Sequence, residues 1–224
     1  MTKKLDKKTL EEPDVLTSFF SQVRAFIETN RQKIYLGSGI FLLIFVLIAG
    51  FYLYRMNYEN NATKRYNDIL NKSLKTDSPG REEASIKEFK DMIAKYPRSN
   101  AAALGRYRLG NLYYQRKQNE EAISSYLQFI EHASPGSDLV VLAYHSLGAL
   151  EEQKKDLKKA LEYYELAMKT KSASSFESLN YRNRARVYEA MNNNQKAAEF
   201  YKKALAKTND PLIALLIKRK LSVL

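Results

Sequence analysis

Apolar residues change their spacing twice along this chain. From Pro13 to Ile27, the residues Val15, Leu16, Phe19, Phe20, Val23, Phe26 and Ile27 recur at three- and four-residue steps. That period predicts an amphipathic helix over 13–27. From Ile34 to Tyr54 the alternation vanishes, and 21 residues pass without a charge between Lys33 and Arg55. A helix of that length is roughly 30 Å long, about one bilayer core, so a single transmembrane helix is expected at 34–54. No small-x-small cleavage site follows it, so a retained anchor is expected rather than a cleaved signal. The helical period then returns and runs to Leu224, broken at Ser78-Pro79-Gly80 and at short polar turns. The expected class is all-α.

The segments after the span repeat. Gly110, Gly148 and Ala185 align, as do Tyr113, Glu151 and Tyr188. So do Ala122, Ala160 and Ala197, and then Tyr126, Tyr164 and Tyr201. Steps of 38 and 37 residues separate the alanines, and Ser85 and Phe89 lie 37 residues before Ala122 and Tyr126. Such a period, with two helices per unit, implies a helical solenoid. Helix pairs are expected near 102–132, 139–170 and 177–207, with a degenerate pair near 58–97. Small residues let helix A of each pair approach its helix B, and the tyrosines are expected to fill the space between one pair and the next. Polar turns are expected at Lys117-Gln118-Asn119, Lys154-Lys155-Asp156 and Asn192-Asn193-Asn194. Pro211 to Leu224 reads as a capping helix, yet the run from Leu212 to Ile217 is more apolar than one face can bury. It either packs on the last pair or offers a contact site for a partner or for self-association. The expected division is a leader at 1–33, the span at 34–54, a linker helix with the degenerate first repeat at 55–100, three repeats at 101–210 and the cap at 211–224.

Composition narrows the chemistry. There is no Cys, which excludes disulfides, thiolate metal sites and thiol nucleophiles. Net charge is +12, and the leader holds only seven Lys/Arg against five Asp/Glu, so the basic excess lies beyond the span. A basic surface suits anionic headgroups, acidic protein segments or nucleic acid, or is merely solvated. Spread along helices beside an anchor, these charges argue against nucleic acid. Near the span, Arg24, Arg31 and Lys33 balance Arg55, Lys64, Arg65 and Lys72. The cluster Lys3, Lys4, Lys7, Lys8 favours a cytoplasmic leader. Ahead of the span, the amphipathic helix is expected to lie in the lipid interface, with docking to a cytoplasmic partner as the alternative. His132 and His145 lack metal-ligand spacing, and Gly37-Ser38-Gly39 falls inside the span rather than in a phosphate loop. The pairs Glu120-Glu121 and Glu151-Glu152 read as solvated acids among lysines. No cofactor, metal or enzymatic activity is expected, which leaves binding.

The repeated positions resemble the tetratricopeptide repeat: a small residue at its eighth place, an aromatic at the eleventh, Ala at the twentieth, an aromatic at the twenty-fourth. Glu151 departs from the aromatic and Arg184 from an apolar residue. The resemblance implies a right-handed solenoid whose concave wall is built from the A helices. Mapping by repeat position places Tyr107, Asn111 and Tyr114 on that wall, then His145 and Glu152, then Arg182, Asn183 and Arg186. Aromatics at one end and guanidinium groups at the other suit an extended peptide with an acidic or C-terminal carboxylate end. A generic solvated groove is the alternative. The carboxylate clamp of cytosolic co-chaperones does not carry over, since only Asn111 of its polar set is in place and Tyr107 replaces the usual Lys. Reversing Arg182 and Arg186 to Glu is expected to weaken capture without unfolding.

The order of segments is similar to another, narrower group. A leader ending in Asn30-Arg31-Gln32-Lys33, one span, a helix rich in Tyr and Asn, and Lys95-Tyr96-Pro97-Arg98-Ser99-Asn100-Ala101 before the repeats resemble the YfgM-like family. Its members are ancillary subunits of the bacterial SecYEG translocon. The resemblance implies a single-pass inner-membrane protein with a cytoplasmic N-terminus and periplasmic repeats. It also implies partners among translocon subunits, a periplasmic chaperone and exported chains. The stretch from Tyr96, followed by Tyr107-Arg108-Leu109-Gly110, is similar as well to repeat proteins of outer-membrane assembly and of the Tol–Pal division system. Those carry a cleaved signal or a lipidated Cys, and neither is found here, which favours the translocon resemblance.

Overall fold

The computed structural model describes residues 15–75, 80–134 and 136–224. The Lys3, Lys4, Lys7, Lys8 cluster, Pro13 and Pro79 lie outside them. Every regular element among the described residues is helical: α1 (Val15–Thr29), α2 (Arg31–Lys75), α3 (Arg81–Lys95), α4 (Asn100–Gln115), α5 (Asn119–His132), α6 (Asp138–Gln153), α7 (Leu157–Met168), α8 (Glu177–Ala190), α9 (Asn194–Ala206) and α10 (Pro211–Leu221). A 3-10 turn, Ala173–Phe176, leads into α8.

Two compact units divide the chain, 1–56 and 57–224. In the first, α1 carries Phe19, Phe20, Phe26 and Ile27 exposed, with an Arg24–Glu28 ion pair of 3.0 Å along its polar side. The α2 residues from Tyr35 to Tyr54 are likewise bare. An 18-residue window there has mean hydropathy 2.5 and none of it is buried.

The second unit is a stack of helix pairs: α2 beyond residue 56 with α3, then α4–α5, α6–α7 and α8–α9, closed by α10. The polar triplets make the tight turns within pairs. Lys117, Lys155 and Asn192 take the left-handed conformation, with φ of 59°, 64° and 58°. In each turn the next N–H reaches back five residues: Gln118 to the Tyr113 carbonyl, Asp156 to Glu151 and Asn193 to Tyr188, all at 2.9 Å. These bonds satisfy the carbonyls that a helix end leaves open. Asp156 and Asn193 then cap the next helix through the N–H groups of Lys159 and Lys196.

Within a pair, the tyrosine sits on the glycine. A Cβ added to Gly110 would lie 2.6 Å from the Tyr126 ring, and one on Gly148 2.5 Å from Tyr164. The expectation that these rings fill the space between pairs is thus one half of their role, since Tyr164 also clusters with Val187 of α8. Each covers the small residue of its own A helix, which lets the phenol pack flat against backbone. Contact with the next pair is made as well: Arg186 donates to the Tyr164 hydroxyl at 3.4 Å, and the Asn180 amide donates to the Tyr164 carbonyl at 2.5 Å.

One apolar cluster runs from Ile69 and Phe89 through Tyr126 and Phe129 to Leu150, joining the first three pairs. Ser85 and Phe89 of α3 are buried, with Phe89 5.8 Å from the Tyr66 ring of α2. Past Leu150 the core breaks into two small clusters, one around Tyr164 and Val187 and the other around Phe200, Tyr201 and Ile217. The departures from the repeat pattern are explained by their neighbours. Glu151 is buried, against the expectation of a solvated acid, because Lys159 of its own pair holds the carboxylate at 2.9 Å. Arg184 lays its guanidinium over the Phe200 ring at 4.3 Å and donates to Glu165 at 3.1 Å, so its stem and plane replace an apolar side chain. The apolar run of α10 divides by face. Ile213, Ile217 and Leu221 pack on the last cluster, while Leu212, Leu215 and Leu216 stay exposed. Asp210 caps this helix at the Leu212 and Ile213 N–H groups.

Candidate functional site

Residues three or four apart share a helix face, so α4 presents Tyr107, Asn111 and Tyr114 together, α6 His145 and Glu152, and α8 Arg182 and Arg186, with Asn183 beside them. The structure gives the two ends of this row different characters.

At the α4 end the side chains mainly support one another. Tyr107 is half-buried, its ring centroid 5.2 Å from Phe129 and 5.8 Å from Tyr126. Asn111 accepts the Tyr126 hydroxyl at 2.7 Å. Burial pushes that phenol up to about 12 and raises Tyr107 as well. Tyr114 is the exposed member, its hydroxyl accepting from Gln153 of the next pair at 3.0 Å.

Further along, α6 and α8 are knitted by a polar joint. Arg186 donates through Nε to Glu152 Oε2 at 2.9 Å and through Nη2 to Oε1 at 2.7 Å, a two-pronged pair. The same carboxylate accepts the Tyr164 hydroxyl at 2.5 Å. Arg186 Nη1 donates to Asn183 Oδ1 at 3.2 Å, and Asn183 Nδ2 meets His145 Nδ1 at 3.1 Å. With that amide donating, His145 Nδ1 accepts, which places the imidazole proton on Nε2. His145 is only 6 % exposed and its ring lies 5.4 Å from Tyr164. Burial first, then the charges of Arg186 and Arg182, hold it down to about 4. The hydrogen bonds to Glu152 raise Arg186, and burial followed by Glu152 raises the Tyr164 phenol.

This geometry corrects the expectation of two guanidinium groups offered to a ligand. The A helices of successive pairs lie side by side, so Arg186 of α8 meets Glu152 of α6 and is neutralised there. Arg182 makes no hydrogen bond or ion pair among the described residues. It borders a cleft of about 600 Å³ with Arg186, with Leu216, Arg219 and Lys220 of α10 and with Val223 just beyond that helix. Buried Tyr201 and Ile217 line the same cleft, and the Tyr201 hydroxyl donates to Glu189, which also holds Lys220 at 2.7 Å.

Three functional features go beyond the repeat mapping: the tyrosine hydroxyl–carboxylate bonds, the Asn180 cross-link and the α10 side of the cleft. The first left a signal, since Glu152–Tyr164 and Glu189–Tyr201 are both 12 residues apart. The other two depend on packing between elements with no fixed spacing.

A family described as a tetratricopeptide repeat-like domain matches residues 24–224. Two crystal structures of MamA superpose with TM-scores of 0.52 and 0.53 at 19 % and 18 % identity, covering 64 % and 72 % of this chain and 77 % and 85 % of theirs. TPR-like repeats of a kinesin light chain from Podosopora anserina give 0.54 at 14 % identity, over 74 % of this chain and 85 % of that one. At such identities the likeness is one of fold. No curated protein sequence matches the chain.

Proposed function

The chain belongs to the tetratricopeptide repeat-like domain family, and from that premise we propose that it is a membrane-anchored adaptor which gathers proteins at the bacterial inner membrane. The observation that carries this reading is the bare apolar stretch of α2. Each large apolar side chain gains roughly 1.5–3 kcal/mol on leaving water, and more than a dozen stand exposed between Tyr35 and Tyr54. A bilayer covers such a helix on all sides. The leader lies on the cytoplasmic side, α1 rests in the interface on its phenylalanines, and the right-handed repeat array projects into the periplasm.

Within that reading, the order of segments supports an ancillary translocon subunit that links exported chains to periplasmic chaperones. An envelope-assembly or cell-division scaffold is the second reading. The motif that would favour it has a structural use here. Ser99 caps α4 by accepting the Ala102 N–H at 3.0 Å, and Ala101, Ala102 and Ala103 are buried. A cap and a close-packed helix start serve any such array and do not select a partner.

A photoreactive residue at Tyr114, more exposed than the half-buried Tyr107, tests the reading in native membranes. The expected adducts contain a translocon subunit, a periplasmic chaperone or an exported chain. Adducts limited to outer-membrane-assembly or division factors would transfer the protein to the scaffold class.

A further inference from the structure

We infer that the cleft between α8, α9 and α10 is a docking site for an acidic amphipathic helix of a partner protein. The inference deepens the adaptor reading, on which it rests, by assigning one partner's chemistry to one place.

Four cations border the cleft, and two of them are already neutralised. Arg186 is held by Glu152 and Lys220 by Glu189, each at 2.7 Å. Arg182 and Arg219 have no ion pair among the described residues. A basic last turn is commonplace at a helix C-terminus, where it complements the helix dipole, and this accounts for Arg219 on α10. It does not account for Arg182, which sits on α8 across the cleft. Two unneutralised guanidinium groups on different elements therefore converge on one depression.

Between them runs an apolar stripe. Leu212, Leu216 and Arg219 follow at steps of four and three, so they share one face of α10, and Val223 lies just past the end of the helix on the rim of the same cleft. Leu212, Leu216 and Val223 are 72 %, 58 % and 73 % exposed. Along α10 the stripe is roughly 10 Å long at 1.5 Å per residue, the span of about two helical turns. A partner helix with leucines facing this stripe and carboxylates on its flank would satisfy both features, the arrangement of a helix laid in a groove.

Charge selects this occupant over the others. A second copy joined through the same face would bring Arg182 and Arg219 against their own counterparts, on a chain of net charge +12. A lipid surface is flat, whereas Arg182 and Arg219 flank a depression that a helix ridge fills.

The test uses the purified full chain in nanodiscs of neutral phosphatidylcholine. Its probe is a fluorescent helical peptide of about 18 residues, five turns, with leucines on one face and glutamates beside them. Its control carries Gln for every Glu. The Glu peptide is expected to bind about tenfold tighter than the Gln peptide and to weaken with added salt. Arg182→Gln with Arg219→Gln, and separately Leu216→Ser, should each lower its affinity about tenfold with an unchanged melting temperature. Arg116→Gln, on an exposed position of the α4–α5 turn, should leave binding intact. Equal affinity for the two peptides, or indifference to the cleft variants, would overturn the inference. So would binding of short-chain phosphatidylglycerol in place of the peptide, or dimerisation abolished by Leu216→Ser. If the peptide fails while the Tyr114 adducts form, the cleft assignment alone is lost. Peptide binding without those adducts would leave the cleft standing and remove the wider adaptor reading.

Discussion

His145 is the residue whose protonation the fold controls most directly. Its imidazole titrates near 6.5 in the unfolded chain and is pushed down to about 4 by burial and by Arg186 and Arg182. Below 6.5 the unfolded chain gains a proton that the folded one refuses. Stability is therefore full above that value, falls as the pH drops towards 4 and levels off beneath it. The loss from this group is about 3 kcal/mol at most. His145→Gln keeps a polar partner for Asn183 and should remove that share, so its melting temperature should fall less than the wild type's between pH 7 and about 4.5. Parallel pH curves for the two proteins would assign the acid sensitivity elsewhere. At this scale the sequence is legible where spacing is invariant. Small residue, alanine and tyrosine recur because every pair needs a close crossing. Glu152 and Arg186 were unreadable as a pair: they lie 34 residues apart, off the repeat step of 37, and no other repeat carries an arginine at that place. Charge reversal at Arg186 would set two carboxylates against each other, so it is no longer a substitution that spares folding, whereas Arg182 remains one.

Helices form where the period is strong and stop where the chain cannot continue. The turn triplets were legible because polar, flexible residues accept the left-handed bend at Lys117, Lys155 and Asn192. The fate of α10 was less so, since a continuous apolar run does not reveal which of its faces meets α9. For α1, the exposed phenylalanines imply lipid contact, and the absence of native cysteine makes a direct measurement simple. An environment-sensitive dye on Phe20→Cys should shift to the blue in vesicles and be quenched by brominated lipid. A dye on the polar side, at Ser21→Cys, should do neither. Equal behaviour of the two labels would remove α1 from the interface and favour docking to a cytoplasmic partner.

For the whole molecule, the proposed orientation is checked by labelling, because the charges flanking the span nearly balance. An impermeant maleimide should label Lys202→Cys, exposed on α9, once the outer membrane is opened. It should reach Gln22→Cys only after the inner membrane is dissolved. The reverse order would invert the topology. Solenoid architecture was legible from the period alone, since stacking is the means by which two-helix units share a core. What the period hides is that the contacts between units are of two kinds. The first three pairs share a continuous apolar core, while α6 and α8 meet through His145, Glu152, Asn183 and Arg186. A greasy contact accepts any neighbour of similar volume, but a two-pronged ion pair accepts only its complement. The last pair is thus keyed to the one before it. Were it stacked directly on the α4–α5 pair, its arginine would meet Tyr114, the counterpart of Glu152, and lose its carboxylate, so the order of these modules is written into the chain as firmly as their shape.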